Sequence, residues 1–144
     1  MRIEQVLRRK GSAVATVAPQ APLRELLALL AEQGIGAAVV CDGPRVAGIV
    51  SERDVVRALH QRPDLALDVP VSELMTSEVL TTRPGEAVDR VSLLMTERRV
   101  RHVPVLGDDG ALVGIVSIGD VVKSRIDELE ADRDSLLGYV RSAP

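Results

Sequence analysis

The sequence contains the stretch Gly48-Ile-Val-Ser-Glu-Arg-Asp54-Val-Val, and a second copy reads Gly114-Ile-Val-Ser-Ile-Gly-Asp120-Val-Val. Seven of the nine positions are identical, and the copies lie 66 residues apart. Each copy predicts a short apolar strand that ends at Ser and a helix that carries Asp in its first turn. A helix start directs free backbone N–H groups and the positive end of the helix dipole toward one point. Each copy therefore predicts an anion-binding position.

The motif also has a purely structural interpretation. Ser-x-x-Asp at a helix start is the pattern of a capping box, in which the two residues satisfy each other's backbone N–H groups. A single copy favours the cap, because most helices need caps and few bind phosphate. Two copies at a fixed spacing favour a binding role, since two matching turns can face each other across one cleft. Both interpretations stay open at this point.

The composition narrows the classes of function. The only aromatic residue is Tyr139, so the core must consist of Val, Leu, Ile and Ala. This shortage argues against sites that stack nucleic-acid bases on aromatic rings, and the net charge of −3 argues against binding to a phosphate backbone. RNA or DNA binding through Arg98, Arg99 and Arg101 is a minor alternative. The single cysteine, Cys41, excludes an internal disulfide and a cysteine-based zinc cluster.

The sequence shows no targeting signal. The first residues, Met1-Arg-Ile-Glu-Gln, lack the apolar core of a signal peptide, and no apolar run reaches the length of a membrane-spanning helix. We therefore expect a soluble cytoplasmic protein that makes no contact with a membrane.

Hydrophobic periodicity divides the chain into two similar halves. Each half reads strand, helix, strand, strand, helix, with turns that contain Gly or Pro. In the first half the predicted strands are 13–17, 37–41 and 46–50, and the predicted helices are a stripe over 23–35 that breaks at Gly34 and a helix over 52–60. In the second half the predicted strands are 79–82, 102–106 and 112–116, and the predicted first helix is 87–98. Because a half of about 60 residues is marginal alone, we expect its sheet to pack against its twin.

These patterns predict four segments. The first motif with an N-terminal arm covers residues 1–62, a linker covers 63–71, the second motif covers 72–123 and a C-terminal extension covers 124–144. The start of the arm, Ile3 to Lys10, is predicted as a short helix or a docking arm. Beyond Asp120, apolar residues continue at three- to four-residue spacing with charged residues between them. This predicts an amphipathic helix that packs on the body or on a second subunit.

The two halves resemble a tandem pair of CBS domains, the regulatory unit called a Bateman module. The doubled Gly-Ile-Val-Ser-x-x-Asp is the most specific feature, supported by Leu74-Met75-Thr76 and by His102-Val-Pro-Val105. The resemblance implies an α/β (α+β) fold in which two β-α-β-β-α repeats pack with pseudo-two-fold symmetry and leave two clefts. It also implies an adenosine ligand in those clefts, most often AMP and otherwise ADP, ATP, NAD or S-adenosylmethionine. Such modules usually form homodimers.

The resemblance assigns roles to the residues of the doubled motif. Asp54 and Asp120 match the ribose-binding position, and an ionised carboxylate suits two ribose hydroxyls because it only accepts hydrogen bonds. Ser51 and Ser117 match the phosphate-binding position at the helix start. Arg53 supplies further positive charge to the first site, whereas its counterpart in the second copy is a glycine. The two sites are therefore not equivalent, and we expect one tight site and one weak or empty site.

The resemblance adds two groups of residues that would form the adenine slots. For the cleft that holds Asp120 they are Lys10, Ser12, Ala13, Ile35, Gly36 and Ala37. For the cleft that holds Asp54 they are Thr76, Ser77, Val79, Val100, Arg101 and His102. Ile35 and Val100 would sandwich the adenine ring, and their alternative is an ordinary core role. Arg101 and His102 match phosphate-contacting positions, and their alternative is a solvated basic face.

The sequence contains no catalytic constellation. It lacks a paired nucleophile and base, a metal-binding set and the lysine of a phosphate-cradling loop. We therefore expect a protein that is not an enzyme and that uses no catalytic cofactor or metal. The favoured hypothesis is a sensor that binds an adenosine nucleotide and signals through changed packing of a homodimer or of an effector protein. The alternative is a dimerisation scaffold whose clefts stay empty.

Overall fold

The computed structural model describes residues 1–142 and shows a mixed α/β fold. The helices are α1 (Ile3–Lys10), α2 (Leu23–Gln33), α3 (Glu52–Gln61), α4 (Val88–Arg98) and α5 (Ile118–Ser142). The strands are β1 (Thr16–Val17), β2 (Ala37–Asp42), β3 (Arg45–Ser51), β4 (His102–Leu106) and β5 (Leu112–Ser117). A single 3-10 turn, Val71–Glu73, lies in the connection between the halves. The predicted fold class is confirmed.

Each half of the chain builds its own small sheet around an antiparallel hairpin. In the first half β1 lies parallel to β2, and β2 pairs with β3 in a register that sets Val39 opposite Ile49. In the second half β4 pairs with β5, with Pro104 opposite Ile115. Because Ile49 and Ile115 hold the same place in the doubled motif, the two hairpins share one register. Val39 and Pro104 are therefore structural counterparts.

The strand predicted over residues 79–82 is wrong, because only Thr82 forms a bridge, with Val105. The cause lies in the neighbouring strand. In the first half the Val39 N–H donates to the Ala15 oxygen at 3.0 Å, which extends the parallel pairing of β1. Its counterpart Pro104 has no N–H, so the matching bond to this segment cannot form. The second half therefore keeps a two-stranded sheet.

The segment that precedes each half crosses over to pack on the other half. Helix α1 buries Ile3 and Val6 in the core of the second half, whereas Val71 and Leu74 from the connection join the core of the first. Backbone bridges fix both crossings, one from Arg2 to Ala87 and one from Pro22 to Pro70. The open prediction for residues 3–10 is thus resolved, because they form a helix and that helix docks on the second half.

Helix α5 is much longer than its counterpart α3. It spans 25 residues, yet its buried residues are only Val121 and Ser124, both in its first two turns. The predicted C-terminal helix is confirmed, and the predicted boundary at residue 124 falls inside it. The last two residues of the predicted extension, Ala143 and Pro144, lie outside the described residues. Most of α5 is therefore available to solvent or to a partner.

Candidate functional site

Both copies of the doubled motif form the capping box. At the start of α3 the Ser51 N–H donates to the Asp54 Oδ2 at 2.8 Å, and the Asp54 N–H donates to the Ser51 Oγ at 3.4 Å. At the start of α5 the corresponding Ser117 and Asp120 distances are 2.8 and 3.2 Å. These bonds use one oxygen of each carboxylate. The cap therefore does not exclude a ligand on the other oxygen.

A backbone bond ties each helix start to the strand beside it. The Glu52 N–H donates to the Gly36 oxygen at 3.0 Å, and the Ile118 N–H donates to the Arg101 oxygen at 2.9 Å. The start of β2 therefore lies against the start of α3, and the start of β4 lies against the start of α5. The two strand starts also lie close to each other. A Cβ built on Gly36 would lie 3.5 Å from the His102 Cε1.

The larger cavity, of about 310 Å³, opens at the start of α3 and is called the Asp54 cleft. It brings together eight residues that the sequence predicted for it, namely Ser51, Arg53, Asp54, Thr76, Val79, Val100, Arg101 and His102. Gly36 and Ala37, which the sequence analysis placed in the other cleft, line this one. Ser77 was predicted here but is not among the lining residues. The cleft draws on both halves of the chain.

Six further lining residues were missed by sequence reasoning, namely Ile49, Glu52, Arg57, Glu78, Leu80 and Arg99. Arg57 lies four residues after Arg53 on α3, and helical spacing alone puts the two side chains on one face. Arg99 lies two residues before Arg101, in the loop that enters β4. With these two, four arginines line the cleft against three carboxylates, from Glu52, Asp54 and Glu78.

Arg99 also has an unusual backbone conformation. Its φ of 54° is left-handed, and among the described residues it is the one non-glycine residue with positive φ. It follows the last residue of α4, as Gly34, with φ 62°, follows α2. The first half thus uses the residue that favours this conformation, whereas the second half uses an arginine at the edge of the cleft.

The smaller cavity, of about 110 Å³, lies at the start of α5 and is called the Asp120 cavity. Its lining residues are Met1, Val6, Arg9, Lys10, Asp120, Lys123, Ser124 and Asp127. Of the residues predicted for this cleft, only Lys10 and Asp120 line the cavity. Ser12, Ala13, Ile35 and Ser117 line neither cavity, and Ile35 packs against the first core.

Lys10 and Asp120 form an ion pair inside this cavity. The Lys10 Nζ donates to the Asp120 Oδ2 at 2.6 Å and to the Ile115 backbone oxygen at 2.9 Å. Burial would raise the pKa of the Asp120 carboxyl, but the hydrogen bonds from Lys10 and Ser117 outweigh burial and lower that pKa. Burial and then the charge of Lys10 lower the pKa of His102, against the opposing carboxylates of Asp120 and Glu52.

Residues 1–142 lack both a metal-binding cluster and a membrane-spanning helix. No group of three or more His, Cys, Asp or Glu side chains could hold a metal ion. No helix in this range is both long and apolar enough to cross a bilayer.

Known proteins match most of the chain. A CBS-domain protein from Agrobacterium tumefaciens superposes with a TM-score of 0.82 and 40% identity, covering 87% of this chain and 99% of that one. A CBS-domain protein from Pyrobaculum aerophilum, solved in complex with AMP, gives a TM-score of 0.74 and 32% identity, over 83% and 89%. A mitochondrial CBS-domain protein from Arabidopsis thaliana is 34% identical over 117 residues, which are 78% of this chain and 56% of that protein.

The family model named CBS domain matches the chain in two places, residues 3–61 and 71–127. The chain spans about half the length of the first curated relatives that it matches. The two matched segments coincide with the two halves that build the paired sheets and the two helix starts described above. The chain therefore belongs to the CBS-domain proteins and carries a pair of these domains.

Proposed function

We propose that this protein is a regulatory module that binds an adenosine nucleotide, with AMP as the first candidate, in the Asp54 cleft. One observation carries the proposal. Ser51 and Asp54, at the start of α3, share a cleft of about 310 Å³ with four arginines and with apolar side chains from both halves. The Pyrobaculum aerophilum relative, solved with AMP, supports this choice of ligand. The proposal includes no catalytic step.

Each part of an adenosine nucleotide has a chemically suitable partner in the cleft. The Asp54 carboxylate accepts hydrogen bonds from ribose hydroxyls with the oxygen that the cap leaves free. The Ser51 hydroxyl and the Arg53 guanidinium bind the phosphate at the positive end of α3. Val79 and Val100 of the second half enclose the adenine, and Ile49 of the first half lines the same cleft. A ligand held by both halves acts on their relative position, which is how binding becomes a signal.

The test is isothermal titration of the protein with AMP, together with thermal unfolding at millimolar ligand. We expect wild type to bind and to melt at a higher temperature with ligand, because a ligand of the native state stabilises it. Asp54→Ala should lower the affinity at least tenfold, since a hydrogen bond to a charged group contributes about 1.5–3 kcal/mol.

The matched control is Asp89→Ala, which removes a carboxylate from the first turn of α4, outside both cavities. It should leave AMP binding unchanged. If neither AMP, ADP, ATP, NAD nor S-adenosylmethionine raises the melting temperature of wild type, the sensor proposal fails. The scaffold function then stands, and it has support of its own, because both capping boxes are satisfied without any ligand.

We further propose that the signal passes through a homodimer held by α5. A heptad pattern of apolar residues runs along α5, with Arg133 at one of its positions. The apolar residues of this pattern are 49–68% exposed, namely Val122, Ile126, Leu129, Leu136 and Val140. In a parallel pair, Arg125 of one copy faces Glu130 of the other, and Arg133 lies beside Asp132 of the other copy. This charge complementarity favours a second copy of the chain as the partner over an unrelated protein.

Sedimentation equilibrium of the full chain tests the dimer. Leu129→Lys should convert it to a monomer, whereas Leu67→Lys, at a 51% exposed leucine of the connection, should not. A wild-type monomer would exclude this interface and would direct attention to an effector protein as the partner of α5.

A further inference from the structure

Lys10, the last residue of α1, extends to the start of α5 and forms an ion pair with the Asp120 carboxylate. The Lys10 ammonium lies 2.6 Å from the Asp120 Oδ2, the same oxygen that accepts the Ser117 N–H. The side chains of Lys10 and Asp120 are 29% and 20% exposed, so the pair is partly shielded from water. Lys10 and the cap share this oxygen, so a ribose bound through the other carboxylate oxygen would have to fit beside an ammonium that already neutralises the carboxylate.

The same position in the first half is arranged differently. The Ile49 backbone oxygen accepts from the Thr76 N–H at 2.8 Å, so a backbone segment runs past that strand. The corresponding Ile115 oxygen accepts instead from the Lys10 Nζ at 2.9 Å. A side chain therefore replaces a backbone donor, and its charged end continues to the neighbouring carboxylate. Asp54 has no such cation within hydrogen-bonding distance in residues 1–142, since its carboxylate is bonded by Ser51 alone.

Packing of α1 supports the placement of Lys10. Gly114 of the doubled motif lies under Leu7, and a Cβ built there would come within 2.7 Å of the Leu7 Cδ2. Leu7 is one turn before Lys10 on the same helix, so the contact sets how far the lysine reaches. The cavity that remains is about 110 Å³, roughly a third of the Asp54 cleft.

We propose that Lys10 closes the Asp120 cavity to nucleotide, so that each chain binds one nucleotide, in the Asp54 cleft. This inference rests on the proposed function of that cleft. Lys10 acts as an internal cation at the ribose position of the second repeat. It decides which of two similar helix starts accepts a ligand, and its removal opens the second one.

The experiment is isothermal titration of the full chain with AMP, read as the number of sites per chain. Wild type should give one site, and Lys10→Met should give two, because the Asp120 carboxylate is released. Arg8→Met removes a positive charge from the exposed side of the same helix, outside both cavities, and should keep one site. Lys10→Gln, which keeps most of the aliphatic stem, serves as the second variant if Lys10→Met unfolds.

A double variant locates the new site. Asp54→Ala alone should show at least tenfold weaker binding, and Asp54→Ala with Lys10→Met should recover one site. Two sites in wild type, or one site in both Lys10 variants, would overturn the inference and leave the proposed function intact. Weaker binding in the Lys10 variants would also overturn it, because Lys10 would then be a ligand contact. Absence of binding in every variant would overturn the proposed function and this inference together.

Discussion

The Asp54 cleft and the Asp120 cavity begin from the same nine-residue pattern and end in different chemical states. Both have a strand, a capped helix start and a carboxylate in the first turn. The difference comes from the segment that crosses over from the other half. The extended residues around Thr76 leave the first carboxylate open, whereas α1 brings Lys10 onto the second. A repeated motif therefore provides the position of a site, and the partner segment determines whether the site is open.

Exchanging residue types between Val39 and its counterpart Pro104 tests why the first sheet has three strands and the second has two. Val39→Pro should lower the free energy of unfolding by about 3 kcal/mol, because it removes a ladder hydrogen bond and leaves the Ala15 oxygen without its donor. Urea unfolding measures the change. The matched exchange Pro104→Val restores an N–H and should change stability by less than about 1 kcal/mol. Equal losses in the two variants would show that Pro104 is not the reason for the missing strand.

Alanine at the motif glycines tests how tightly each crossing segment is held. A Cβ on Gly48 would lie 2.8 Å from the Thr76 backbone oxygen, whereas a Cβ on Gly114 meets only the side chain of Leu7. The Thr76 backbone cannot move away from the added methyl group as easily as the flexible Leu7 side chain can. Gly48→Ala should therefore cost about 2–3 kcal/mol, and Gly114→Ala about 1 kcal/mol, in denaturant unfolding. A larger loss at Gly114 would reverse the ranking of the two crossings.

Arg99 and Gly34 adopt the same left-handed backbone conformation, so substitutions at the two positions compare an arginine with a glycine there. Arg99→Gly should stabilise the protein by about 0.5–1 kcal/mol, since glycine adopts φ 54° without the steric cost of a Cβ. Gly34→Ala should destabilise it by about the same amount. The measurement is thermal unfolding without nucleotide. A loss of stability in Arg99→Gly would mean that the arginine side chain makes contacts that outweigh the cost of its conformation.

The smallest expected effect is a difference in acid sensitivity between wild type and Lys10→Met. The folded-state pKa of Asp120 is lowered, so the unfolded chain takes up the proton first as pH falls. The stabilisation is complete above the ordinary pKa of aspartate, about 3.9, and is lost as pH falls through the lower folded value. Lys10→Met should therefore lose less stability between about pH 5 and 2. Identical acid-unfolding curves would contradict this role for the ion pair.

The sequence predicted those features that depend on neighbours along the chain. The doubled motif, its caps, the two hairpins and the long C-terminal helix all follow from local periodicity. What it could not show depends on residues far apart in the chain. The absence of a strand near Thr82 is caused by Pro104 on a neighbouring strand. The family resemblance placed Lys10 at the cleft that holds Asp120, but their ion pair, across 110 residues, depends on how α1 docks. Gly36, which the resemblance assigned to the Asp120 cleft, lines the Asp54 cleft, because its backbone oxygen accepts from the Glu52 N–H at the start of α3.

Helix α5 has a mechanical property that follows from its length. Its 25 residues extend about 37 Å at about 1.5 Å per residue, and burial is confined to its first two turns. The helix is therefore a lever whose first three turns are held by the bonds of Asp120 to Lys10, Asp127 to Arg9 and Glu128 to the Met1 amino group. A tilt of about 5° there displaces the far end, about 21 Å beyond Glu128, by about 2 Å, on the order of one residue of helix rise. Such a tilt is hard to detect beside the cavity, and fluorescence energy transfer between labels on the body and on the helix tip would amplify it.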